Sequence, residues 1–202
     1  MDINVNKHSS IRIGDIYVDP FKIDVCKKDA RYIFITHSHY DHMSIDYIDK
    51  IVNDETVFVG PKDVVDTLKE RYGNTFLCVE MNNTYKLDGL VFETFSSYNI
   101  NKKFHPYDNG WVGYVIEVDN VRYAVLGDTD LTEEVKNIKC DVLFVPIGGT
   151  YTMNAFEAAE LTNIIKPNLV VPVHYNDIVG SKVDESVFLS GLDREIQYRL
   201  FL

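Results

Sequence analysis

Six residues, His37-Ser38-His39-Tyr40-Asp41-His42, constrain this chain more than any other stretch. They gather three imidazoles and a carboxylate just beyond Tyr32-Ile33-Phe34-Ile35, a short β-branched and aromatic run that reads as a buried strand. Alternation along an extended chain puts His37 and His39 on one side, and a tight turn brings Asp41 and His42 round to face them. One segment at a strand end can therefore serve two adjacent metal sites. An ordinary polar loop would account for a single histidine here, but three of the chain's six fall in this segment. Neutral imidazole and carboxylate suit Zn²⁺, Mn²⁺, Fe²⁺ or Ni²⁺, and no thiolate stands nearby to favour a closed structural zinc site.

The 202 residues are enough for one domain with a substantial core. Around Gly14-Asp15 the runs Ile11-Arg12-Ile13 and Ile16-Tyr17-Val18 predict a hairpin ending at Asp19-Pro20. Asp19 either stops that strand or accepts the outward N–H of a metal-bound imidazole. Beyond the histidine cluster, Ser44 is placed to cap a short helix through Ile45, Ile48 and Val52. A strand over residues 56–59 and a helix over residues 61–71 follow, the helix with Val64, Val65 and Leu68 as its apolar stripe. Strand and helix in alternation argue an α/β layered fold. From Phe76 to Phe95 strands and turns replace that pattern, which predicts a second sheet.

Carboxylates and histidines recur where later strands end. A hairpin over residues 112–118 and 121–126 runs into Gly127-Asp128-Thr129-Asp130, and a buried strand over residues 169–173 runs into His174. The long polar loop of residues 98–111 carries one histidine, His105. Asn154 with Glu157 predicts a capping box for a helix whose Ala155, Ala158 and Ala159 share a face, and the tail from Asp184 reads as a short helix and an apolar terminus. His8 has no ligand partner near it in sequence and is left out of the metal set. Seven ligands remain, and seven suit two metals. His37, His39 and a loop histidine would hold one, Asp41, His42 and His174 the other, with Asp128 bridging.

The segment of residues 37–42 resembles the His-x-His-x-Asp-His motif of the metallo-β-lactamase superfamily, and Asp128 in Gly-Asp-Thr and His174 at a final strand end match that family's pattern. The resemblance implies the same division of ligands and an αββα sandwich: two mixed sheets flanked by helices, covering nearly the whole chain. A narrower resemblance, to small hydrolases that include the ascorbate-6-phosphate lactonase-like proteins, rests on residues 146–153, His174-Tyr175, Tyr98-Asn99 and Phe104-His105-Pro106. Many such relatives carry a metal-binding histidine where this chain has Tyr98-Asn99. Either Asn99 substitutes for it or His105 reaches in, and imidazole is the better ligand.

Two metals a few Å apart lower the pKa of a shared water and deliver hydroxide to a carbonyl or phosphoryl centre, so hydrolysis is the expected reaction, with Asp41, His42 and Asp128 at its centre. The second metal stabilises the developing oxyanion. Gly149, Thr150 and Tyr151 would present backbone N–H and hydroxyl donors to a small anionic substrate, a lactone or phosphodiester, with Lys103 as a nearby cation. A thioesterase of the glyoxalase II type is the alternative. Di-iron redox chemistry in this family goes with Glu in place of His39, and a non-catalytic protein would have lost ligands. A net charge of −11 opposes nucleic acid and anionic membrane as partners, because both attract a basic surface. Cys26, Cys78 and Cys140 lie far apart without a Cys-x-x-Cys spacing and read as core thiols of a reducing cytosol. No apolar run of signal or membrane-spanning length occurs, residues 1–8 included, so a cytoplasmic protein is expected.

Overall fold

The computed structural model describes residues 3–202, so Met1 and Asp2, part of the stretch read above for a signal segment, lie outside it. Two compact units divide the chain, Met1–Glu80 and Met81–Leu202. Each is built on a mixed sheet.

In the first unit the strands are β1 (Ile3–Val5), β2 (Ile11–Ile13), β3 (Ile16–Val18), β4 (Tyr32–Phe34), β5 (Val57–Gly60) and β6 (Thr75–Cys78), hydrogen-bonded in that order. The first two pairings are antiparallel and the remaining three parallel. Val18 is level with Phe34, so β3 and β4 end together, and the Asp19 N–H donates to the Phe34 carbonyl at 2.9 Å. That register brings Asp19 to the histidine segment. Helix α1 (Ile45–Ile51) buries Ile48 and Ile51; Ser44 stands at its N-cap, but the hydroxyl makes no capping bond. Apolar burial therefore holds this helix more than its cap does. Helix α2 (Lys62–Lys69) follows Pro61 and buries Val64, Val65 and Leu68. Val64 and Leu68, with Ile48 and Ile51 of α1, join Ile33, Ile35 and Phe58 in one apolar cluster.

One boundary differs from the sequence reading. The strand containing Phe76 is β6, the parallel partner of β5, and not the start of the second sheet. Phe76 stacks on Phe58 with ring centroids 5.0 Å apart, a packing partner that local alternation cannot reveal.

The second sheet has β7 (Thr84–Leu87), β8 (Leu90–Ser96), β9 (Val112–Val118), β10 (Val121–Val125), β11 (Val142–Pro146), β12 (Leu169–Val173) and β13 (Gln197–Tyr198). It is antiparallel from β7 to β10 and parallel from β10 to β13. Helices α3 (Glu133–Lys136), α4 (Ala155–Ile165) and α5 (Lys182–Gly191) complete the unit. The capping box of α4 forms as expected, with both the Asn154 and the Glu157 bonds made. Because β10, β11 and β12 are parallel, the segments after them emerge at one edge, and the antiparallel β8–β9 pair brings the loop of residues 97–111 to that edge too. Carboxyl ends of parallel strands are where open α/β sheets gather their ligands.

The thiols are not all core groups. Cys26 and Cys78 are exposed and Cys140 is partly covered. Cys26 lies in the loop before β4, and Cys78 ends an edge strand whose outer residues face solvent. Among the described residues no helix is long and apolar enough to cross a membrane.

Candidate metal-binding residues

In the first unit, the turn expected after His39 forms: the His42 and Met43 N–H groups donate to the His39 carbonyl at 3.0 and 2.7 Å. The rings of His37 and His39 come to 4.8 Å between centroids, and those of His37 and His42 to 4.1 Å. The ligand atoms of Asp41 and His42 lie within 4.8 Å of each other and of His8. Such spacings fit donors around a common ion, whose bonds to nitrogen and oxygen run to about 2.0–2.2 Å.

Asp19 arranges these imidazoles. Fully buried, it accepts the Thr36 N–H on Oδ1 at 2.8 Å, and on Oδ2 the Thr36 hydroxyl at 2.7 Å and His42 Nδ1 at 2.7 Å. The Thr36 hydroxyl donates its one hydrogen to Asp19, so its oxygen accepts from His37 Nδ1 at 2.9 Å. Both rings then carry their proton on Nδ1. His37 and His42 therefore offer Nε2 lone pairs, the tautomer a metal ligand needs. Asp19 directly follows the last residue of β3, at φ 48°, and its carboxylate takes His42 Nδ1, so it fills both of the roles considered for it.

His8, which sequence reasoning set aside, is buried with Nε2 3.0 Å from Asp41 Oδ2. An imidazole nitrogen at that distance from a carboxylate oxygen shares with it a proton or a metal ion. Neither His8 nor the bridging hydroxyl of Thr36 had a local signal, since sheet register alone carries them to their partners.

In the second unit, Asp128 follows β10 and His174 follows β12, both buried. Asp128 Oδ2 is 3.0 Å from His174 Nε2 and 3.3 Å from His105 Nε2. A carboxylate set between two imidazoles is a donor set for a divalent cation, as hard oxygen and borderline nitrogen together suit zinc, manganese, nickel or iron. His174 sits at φ 58° in the left-handed region, and its carbonyl crosses close over Gly148. A Cβ there would stand 2.2 Å from that oxygen, so the first glycine of the pair is needed for the strand end to close. Asn99 is not placed as a substitute ligand: its Oδ1 lies 3.0 Å from His105 Nδ1, on the side of the ring away from Asp128.

Part of the expected anion cradle is engaged within the chain. Gly149 N–H donates to the Met153 carbonyl, while the Tyr151 and Thr152 N–H groups both turn back to the Gly149 carbonyl. Asn154 Oδ1 takes the first N–H groups of α4. These bonds close a turn and cap a helix, while Tyr151 is half-buried and the Thr150 side chain and Lys103 are exposed. Lys102, one residue earlier, is the cation drawn inward, to Asp130.

Strand-end histidines and aspartates on two mixed sheets define a class of metal-dependent enzyme. The profile of the Beta-lactamase superfamily domain matches residues 6–174, and the chain belongs to that family. A UPF0173 protein of Pyrococcus abyssi is 31% identical over 188 residues, covering 91% of this chain and 83% of its own. A UPF0173 metal-dependent hydrolase of Staphylococcus aureus is 30% identical over 201 residues, 88% of this chain and 85% of its own. Among solved structures, a protein of Parabacteroides distasonis described as a metal-dependent hydrolase superposes with a TM-score of 0.82 at 26% identity, covering 98% of this chain and 91% of its own. The protein is a metal-dependent hydrolase with the metallo-β-lactamase fold.

Proposed function

We propose that His37, His39, Asp41, His42, His105, Asp128 and His174 hold two divalent ions, zinc first among the candidates, with which the enzyme hydrolyses a small lactone or phosphodiester. The observation that carries this reading is Asp128, whose one carboxylate oxygen lies within 3.3 Å of two imidazole nitrogens. When bound, such ions activate water and stabilise negative charge on the reacting oxygen. The chain's own residues orient and tune. Asp19 and Thr36 fix the His37 and His42 tautomers, and Asp41 lies within reach of His8. Asp128 would contribute its carboxylate to both ions.

Exposed Thr150 and Lys103 favour an anionic group on the substrate, and the net charge of −11 speaks against nucleic acid or a membrane surface. Exposed thiols at Cys26 and Cys78 suit the reducing cytoplasm. A thioester remains the second substrate class, because the same donors serve any activated carbonyl.

Metal analysis of protein reconstituted with zinc is expected to give two equivalents per chain. Asp128→Ala should lose both ions and all hydrolysis while keeping its circular dichroism. One equivalent at saturation, unchanged by Asp41→Ala, would remove the dinuclear reading. A screen of matched anionic and neutral lactones, phosphodiesters and thioesters then separates the substrates, with Lys103→Ala and Thr150→Val expected to slow the anionic ones alone.

A further inference from the structure

A hydrogen-bonded chain in the second unit ends on His105 and begins on a charge pair. Asp130, buried two residues beyond Asp128, accepts the Ile100 N–H on Oδ2 at 2.9 Å. Its Oδ1 takes Asn99 Nδ2 at 3.2 Å and, more closely, the Lys102 ammonium. Lys102 also donates to the Thr152 carbonyl at 2.9 Å, and Asn99 Nδ2 to the Tyr151 carbonyl at 2.8 Å.

Two acceptors on one side of the Asn99 amide leave it a single orientation. The NH₂ faces Asp130 and Tyr151, so Oδ1 faces His105 Nδ1, 3.0 Å away. An amide oxygen only accepts. His105 must then be protonated on Nδ1, which leaves the lone pair on Nε2, the nitrogen 3.3 Å from Asp128.

We propose that Asn99, oriented by Asp130 and Lys102, is the positioning residue that sets the tautomer and ring plane of His105. The proposal rests on the reading of His105 as a metal ligand, and it gives Asn99 a role distinct from ligation. It also explains why Lys102 is drawn inward. An ammonium on Asp130 neutralises a buried carboxylate two residues from Asp128.

Long-range ¹⁵N–¹H NMR on metal-free, histidine-labelled protein reads the tautomer directly. Wild type is expected to show His105 protonated on Nδ1. Asn99→Leu should move the proton to Nε2, where Asp128 can accept it, and chelator competition should show metal affinity falling about 10–100-fold. Asn99→Asp keeps an acceptor toward Nδ1 and should retain the wild-type tautomer. Lys102→Met, at a partly exposed side chain, guards against loss of the fold and should change affinity in the same direction by a smaller factor. A purely structural Asn99 would lower the thermal midpoint without moving the tautomer, and that result overturns the proposal, as does unchanged metal affinity in both Asn99→Leu and Lys102→Met. His105→Ala with full metal content would instead refute His105 as a ligand, and the tautomer result would still stand by itself.

Discussion

Asp19 shows what a single residue can reveal from its neighbours in sequence and what it cannot. A carboxylate at the end of β3 is suspicious as soon as the histidine segment is seen, because a metal-bound imidazole needs an acceptor behind it. Which imidazole it serves depends on the parallel register of β3 and β4, with Val18 level with Phe34, and no pattern local to Asp19 encodes that pairing. Thr36 was hidden for the same reason: threonine before the motif looks like strand, yet its hydroxyl passes Asp19's influence on to His37. Asp19→Ala would leave the Thr36 N–H, the Thr36 hydroxyl and His42 Nδ1 without their buried acceptor. The expected loss is on the order of 3 kcal/mol of unfolding free energy together with about a 10–100-fold drop in metal affinity. Denaturant titration and chelator competition measure the two separately; intact metal affinity would show that Asp19 only supports the fold.

Elements were more legible than residues wherever the signal was local. The α4 capping box and the β9–β10 hairpin around Asp119-Asn120 form where turn and cap chemistry placed them, since those bonds span only a few residues. The short helix α3 and the two-residue strand β13 went unread, because neither is long enough to show a period. The start of the second sheet was misjudged by one strand, for β6 takes its identity from β5 and Phe58. Close approach of two elements is likewise invisible until the backbone is seen. Gly148 faces the His174 carbonyl so closely that a methyl group would lie 2.2 Å from it, and 3.0 Å from Val179 Cγ1. Backbone does not yield as a flexible side chain does, so Gly148→Ala should cost roughly 1–3 kcal/mol and displace His174. Gly73→Ala is the control: nothing lies within 4 Å of its added carbon, and stability should hold or rise by up to about 1 kcal/mol. Thermal unfolding and metal content of the two variants decide it, equal behaviour being the result that would discredit the close-approach argument.

At the scale of the whole molecule, the α/β class was readable because alternating strands and helices give way to a run of strands, and the family profile spans residues drawn from both compact units. Where a side chain ends up relative to solvent was less readable, and the cysteines show why. Cysteine is among the most often buried residues, but that preference carries little weight at the end of an edge strand, where Cys78 sits, or in a charged loop such as the one holding Cys26. Cys140 alone follows the preference. Burial pushes its thiol up to about 12, with Asp141 adding to the rise, so it stays protonated near neutral pH, and thiolate is the form that reacts. An aromatic disulfide reagent at pH near 8 should therefore titrate two thiols quickly and the third only as the second unit opens. The slow phase should vanish in Cys140→Ser and accelerate with urea, which makes it a reporter for that unit's opening. Three equally fast thiols would mean that the segment before β11 is open in solution, and the covered position of Cys140 would have to be given up.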